Sequence, residues 1–131
     1  VFASLFVLLY VAHLLADYPF QTDHQACHKA QAGAAGWRAN LAHAATHVVF
    51  CAVALAVAAL VLGIRTAPAV AVTALVWIGA THAVIDRRWP VARWMSFARQ
   101  AGFAQHGGAA HVDQAAHVLA LAVAALLLAA T

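Results

Sequence analysis

Four pairs of ionisable residues repeat one spacing along this chain: His13 with Asp17, His43 with His47, His82 with Asp86, and Asp113 with His117. Residues four apart on an α-helix share one face, one turn above the other. The chain has no glutamate. Three of its four aspartates belong to these pairs, and the fourth, Asp23, adjoins His24. Imidazole and carboxylate together suit zinc, iron or manganese. Eight such groups exceed one tetrahedral set, so they would serve two ions, or one ion and the groups that orient its ligands. Zinc is the expected metal. The chemistry that follows is metal-assisted hydrolysis, in which a bound ion activates water and polarises a carbonyl or phosphoryl oxygen. Two duller readings compete. A buried hydrogen-bond network would make the chain a structural subunit, and a His/Asp relay would make it an ion or proton carrier.

The elements that must position these pairs are long and apolar. Of 131 residues, 66% are apolar and 8% charged, far from the soluble norm. About 20 helical residues cross the hydrocarbon of a bilayer. Four spans are expected: Val1–Asp17, Leu41–Gly63, Pro68–Asp86 and Ala109–Thr131. The fold class is therefore an all-α membrane protein, a single domain over residues 1–131 with four transmembrane helices in an up-down bundle. The first span is short and begins at Val1 rather than Met, so a few residues are expected to precede it. It lacks the basic n-region and small-residue cleavage site of a signal peptide.

Residues 18–40 and 87–108 read as long polar connections and residues 64–67 as a tight one. Asn40 is the expected N-cap of the second span, Pro68 starts the third, and Gly107 and Gly108 break the chain before the fourth. The long connections carry Lys29, Arg38, Arg87, Arg88, Arg93 and Arg99, against Arg65 alone on the other side. By the positive-inside rule both connections face the cytoplasm and both termini lie outside. These scattered basic residues are topology signals, and the formal charge of +3 does not imply nucleic acid as a partner. The partner is the lipid bilayer.

All four pairs then fall near the cytoplasmic ends of their spans, where an antiparallel bundle would bring them to one level. Their positions also repeat. His82 and Asp86 lie 69 residues after His13 and Asp17, and Asp113 and His117 lie 70 after His43 and His47. The chain reads as two copies of one helical hairpin, about 1–63 and 68–131, related by an axis along the membrane normal.

Four pairs at one level favour a metal site over a relay, because the outer halves of the spans are nearly pure Ala, Val and Leu and offer a carrier no onward path. A substrate would arrive from the inner leaflet or the cytoplasm, which suits a lipid-like phosphate or ester. No Gly-x-Ser-x-Gly elbow or phosphate-binding glycine loop is present, which disfavours a serine hydrolase or a nucleotide enzyme. Asp23, closely following the first motif, is the expected catalytic residue, reaching back over the site as a general base. Gln21, Thr22 and Lys29 would hold its loop or contact substrate. Gln114 would bond to a ligand. Cys27 and Cys51 fall at different depths and are not expected to pair. Arg87-Arg88-Trp89-Pro90, then Arg93-Trp94 and Phe97, interleave arginines with aromatics, as in a short helix lying among lipid headgroups.

His13-x-x-x-Asp17, followed by Gln21-Thr22-Asp23 and Lys29, resembles the opening of a bacterial membrane family, domain of unknown function 3307. His43-x-x-x-His47, His82-x-x-Ile85-Asp86 and Asp113-Gln114-x-x-His117 are similar to its remaining motifs, so the resemblance covers nearly the whole chain. His24 stands where the family pattern usually has Trp. The resemblance implies membership and the motif set, with a bacterial cytoplasmic membrane as the location, and it carries no reaction.

Overall fold

The computed structural model describes residues 1–130, and its regular structure is helical throughout. Four helices dominate: α1 (Phe2–Asp17), α3 (Gly33–Val61), α4 (Pro68–Ile85) and α7 (Ala109–Ala129). The short α2 (Asp23–His28) lies between α1 and α3. The stretch before α7 holds α5 (Trp89–Phe97), α6 (Ala101–Phe103) and a π-turn over Ala104–Gly108. α1 packs on α3 and α7, and α4 packs on α3 and α7, so the four long helices close a ring.

Polarity in this ring is inverted relative to a water-soluble bundle. His13, Asn40, His43, His47, His82 and His117 are buried. Val49, Val53, Leu60, Val72, Val76, Leu119 and Leu126 are exposed. Such an exterior suits hydrocarbon, which accepts apolar side chains and penalises charge. Three segments are long and apolar enough to cross a membrane: Gly33–Val61, Pro68–Ile85 and Ala101–Ala129. α1 is shorter, with 16 residues, and rises about 24 Å at 1.5 Å per residue. Hydroxyls on the apolar helices are absorbed locally. Thr46, Thr73 and Thr81 donate to the carbonyls of Ala42, Ala69 and Trp77 one turn back, the usual resolution for a hydroxyl without water. The Trp77 indole donates across to the Ala120 carbonyl (2.9 Å), joining α4 to α7.

The second long helix starts well before the expected Leu41. α3 begins at Gly33, so residues 33–40 are helical rather than loop. Asn40 is not an N-cap. It is buried in the middle of the helix, and its Nδ2 donates to the Ala83 carbonyl (3.1 Å) in the last turn of α4. The physical reason is the run Ala34, Ala35, Ala39 and Ala42, strong helix formers with no proline to stop them. The last carbonyls of a helix have no partner of their own, and Asn40 supplies one to its neighbour. Gly36 permits the tight entry, since a Cβ there would collide with the Gln31 carbonyl. At the other end Gly63, at φ +67°, stops the helix as Ile64 N–H donates to the Ala58 carbonyl. The break expected before the last span falls at Gly107, at φ +84°.

Two arginines bracket α5 in the left-handed region. Arg88, its N-cap, has φ 64°, and Arg99, just past its end, has φ 56°. Gln100 N–H donates to the Met95 carbonyl and Arg99 N–H to that of Ser96. This terminus is usually built with glycine at the position Arg99 holds. For a residue with a Cβ that conformation costs about 1–2 kcal/mol. They are the only non-glycine residues at positive φ among the described residues.

Candidate metal centre

The pairs reach the cluster from the four long helices. His13 and Asp17 occupy the last turn of α1. His82 lies in the last turn of α4, and Asp86 caps it. His117 lies on α7 beyond its first two turns. His43 and His47 lie deeper in α3, because that helix begins early. The structure brings seven of the eight expected ligands together in the interior.

Two groups have the mutual spacing a metal needs. Asp17, His43, His47 and His82 each offer one atom, all within 4.8 Å of one another, and so do His82, Asp86 and His117. His82 belongs to both. In the first group Asp17 Oδ1 lies 3.1 Å from His43 Nε2, 3.2 Å from His47 Nε2 and 4.0 Å from His82 Nε2. The Nε2 atoms of His43 and His47 are 3.3 Å apart. Tetrahedral ligands about 2.0–2.1 Å from zinc would stand about 3.3–3.4 Å from each other. The first three atoms therefore have the spacing of a tetrahedral face, and His82 stands farther off, within 4.8 Å of the others.

Hydrogen bonding leaves this cluster incomplete. His47 Nδ1, His82 Nε2, Asp86 Oδ2 and His117 Nε2 are buried without a hydrogen-bond partner. Asp86 Oδ2 does have close neighbours: Lys29 Nζ at 3.0 Å, His82 Nε2 at 3.1 Å and His43 Nε2 at 3.5 Å. These are charge contacts whose directions do not make hydrogen bonds. Buried polar atoms are normally hydrogen-bonded, and ring nitrogens crowded this closely around a carboxylate are what a shared cation would resolve. A separate void of ≈ 10 Å³, lined by His13, His82 and His117 together with Ile78, Thr81, Ala120 and Leu121, has about the room of one water.

His13 and Asp113 stand outside both ligand groups. His13 Nε2 faces Asp17 Oδ2 (3.1 Å) and Gln114 Oε1 (3.4 Å), and Gln114 Nε2 donates to Asp17 Oδ2 (3.3 Å). His13 and Gln114 thus hold the far oxygen of Asp17 and leave Oδ1 to the histidines. Asp113 is half-buried, with Oδ2 3.4 Å from His117 Nδ1. His117 Nδ1 donates to the Asp113 backbone carbonyl (3.0 Å), and that bond with the nearby carboxylate leaves Nε2 turned toward Asp86 Oδ1 (3.9 Å). Such carboxylate–histidine contacts orient metal ligands. Gln21 Nε2 lies 2.8 Å from His43 Nε2, the atom that also meets Asp17 Oδ1, and it would have to turn away for that nitrogen to bind a metal.

Asp23 is not brought to the cluster. It is the exposed first residue of α2 and makes no ion pair among the described residues. Thr22 caps that helix through a reciprocal pair with Gln25. The residue underweighted in the sequence is Lys29, the only lysine of the chain, which meets Asp86. Its backbone is clamped: Arg87 Nη1 donates to the Lys29 carbonyl (2.8 Å) and Nη2 to that of Gln31 (2.7 Å). The Arg87 guanidinium lies over the Trp37 ring at 4.5 Å. A single lysine beside Gln-Thr-Asp, in a chain otherwise using arginine, was the available signal. The two cysteines are free, Cys27 exposed and Cys51 buried.

Beside the cluster opens a cavity of ≈ 840 Å³ between α2, α5 and the start of α7, with Asp86 and Lys29 in its wall. That is within the size range of sites for small molecules. On the other side the helices close over Leu5, Leu9, Ala54, Ala74, Ile78, Leu121 and Leu128. The centre therefore opens toward one end of the ring only.

A helical protein with apolar spans and a buried His/Asp cluster able to hold a metal ion is the class these features define. The chain belongs to the family described as protein of unknown function (DUF3307), whose pattern matches residues 5–131. No curated protein and no solved structure matches it.

Proposed function

We propose that the chain is an integral membrane, metal-dependent hydrolase acting on a lipid-like phosphate or ester at the cytoplasmic face. The observation that carries this reading is the convergence of Asp17, His43, His47 and His82, each offering one atom within 4.8 Å of the others, next to a cavity large enough for a substrate. Zinc fits this donor set, three imidazoles and a carboxylate. When bound, it supplies Lewis acidity and an activated water. Asp17, His43, His47 and His82 would hold one ion, and Asp86 and His117, with His82 shared, a second. Hydrolysis adds water across a P–O or C–O ester bond and releases an acid and an alcohol.

The carrier reading is disfavoured by the apolar packing beyond the cluster, which gives a cation no polar groups toward the far side. The bilayer arrangement in this reading has four spans, α1 included, as two hairpin repeats. In support, each half contains a long helix, a connection with a short helix, and a second long helix. Purified protein should carry about one to two equivalents of zinc by elemental analysis. Hydrolysis of a short-chain lipid phosphate or ester should be lost on chelation and return with added zinc. Protein that is metal-free as purified and takes up none would end this reading. Ion flux in liposomes without hydrolysis would replace it with the carrier.

Orientation has a native probe. Cys27 is exposed on the first long connection and Cys51 is buried. A membrane-impermeant maleimide should label inverted membrane vesicles and not intact cells, with the label on Cys27. Labelling of intact cells would reverse the topology drawn from the basic residues.

A further inference from the structure

The cavity beside Asp86 has two kinds of wall. Lys29, Arg88 and Arg99 bring three cations to it, and Val91 and Met95, the buried face of α5, bring an apolar surface. Two carboxylates, Asp86 and Asp113, also line it. Both already have partners, Asp86 in Lys29 and Asp113 in His117. Arg88 and Arg99 line the cavity as exposed residues and make no ion pair among the described residues, so neither is tied to a carboxylate. Outside, Trp89, Trp94 and Phe97 of the same helix are exposed, as suits a helix lying at the lipid headgroups.

The backbone makes a second, independent observation. The two arginines of the cavity are the two non-glycine residues held in the left-handed conformation among the described residues. Glycine would sit at either position without strain. Strain kept at paired positions on one cavity points to function when the side chains themselves are needed there.

We propose that this cavity binds an amphiphile with a terminal phosphate, its phosphate held by Arg88 and Arg99 with Lys29 beside it and its chain laid along Val91 and Met95. The inference deepens the reading above: it selects phosphate over ester and names the substrate chamber of that same centre. Guanidinium groups recognise phosphate oxygens through paired, charge-assisted hydrogen bonds. Lys29, fixed by the Arg87 clamp, ties the phosphate position to Asp86 at the edge of the metal centre.

The test is calorimetric titration of the detergent-purified full chain with dihexanoyl phosphatidate, dihexanoyl phosphatidylcholine and inorganic phosphate. Each titration is run with zinc and again after chelation. The phosphatidate should bind at least about tenfold more tightly than either comparison ligand. Arg88→Gly and Arg99→Gly should each weaken it about tenfold, the effect of losing one charge-assisted contact. Their thermal midpoints should stay level or rise, because glycine relieves the left-handed residue. Unchanged affinity in both variants would overturn the proposal, as would variants that lose stability together with binding. Inorganic phosphate binding as tightly as the phosphatidate would assign the arginines to a free anion and overturn the lipid source. If the chain holds no metal, the arginine dependence measured after chelation still decides this inference, so the two readings fail separately.

Discussion

Replacing His82 with alanine is expected to weaken zinc binding by more than about 100-fold. Loss of residues that merely orient a ligand already costs about 10–100-fold in metal affinity, and His82 is placed to bind directly. It is also the one residue common to both ligand groups. Removing it leaves Asp17, His43 and His47 on one side and only Asp86 and His117 on the other, so neither set retains its full complement. His47→Ala damages the first group alone. Gln114→Ala should be milder, about tenfold, because it loosens Asp17 through its outer oxygen. The measurement is zinc competition against a calibrated chelator, with elemental analysis of each purified variant. Zinc affinity in His82→Ala equal to that of the unaltered chain would remove His82 from the centre and with it the link between the two groups.

The order of these effects was only partly legible in the sequence. Spacing of four along apolar segments placed His13, Asp17, His43, His47, His82, Asp86, Asp113 and His117 on helices that converge, because a helical period fixes which residues share a face, though it could not tell that His13 and Asp113 stand outside the ligand groups. Periodicity says nothing about which oxygen of Asp17 faces which ring. The division of labour between Oδ1, near three histidines, and Oδ2, held by His13 and Gln114, came only from packing. Asn40 shows a different limit. As a residue type it favours helix starts, yet the alanines on both sides carry the helix through it and its amide serves another helix. Lys29 reaches Asp86 from 57 residues away in sequence, through a loop held by Arg87. Asp23 was read as catalytic by nearness in sequence to Asp17, but α2 turns it outward to the surface.

That contrast between two aspartates six residues apart sets the second large effect. Asp17→Ala is expected to destabilise the metal-stripped protein by about 3–5 kcal/mol, the range for breaking a buried charged contact from one side. Its carboxylate is the meeting point of His13, His43 and His47 and accepts from Gln114. Without it, buried imidazoles would face one another with no carboxylate between them. Asp23→Ala should leave the unfolding midpoint unchanged, since that side chain is exposed and makes no ion pair among the described residues. Asp17→Asn separates the two parts played by the group. It keeps an oxygen that can accept from the histidines, so it should recover part of the stability. It lacks the negative charge a zinc site draws on, so zinc affinity should remain low. Thermal unfolding in detergent, run on chelated samples, measures the first part, and zinc competition measures the second. An Asp17→Ala midpoint no lower than that of Asp23→Ala would mean that the histidines stand without Asp17, and the cluster would then be organised around some other group.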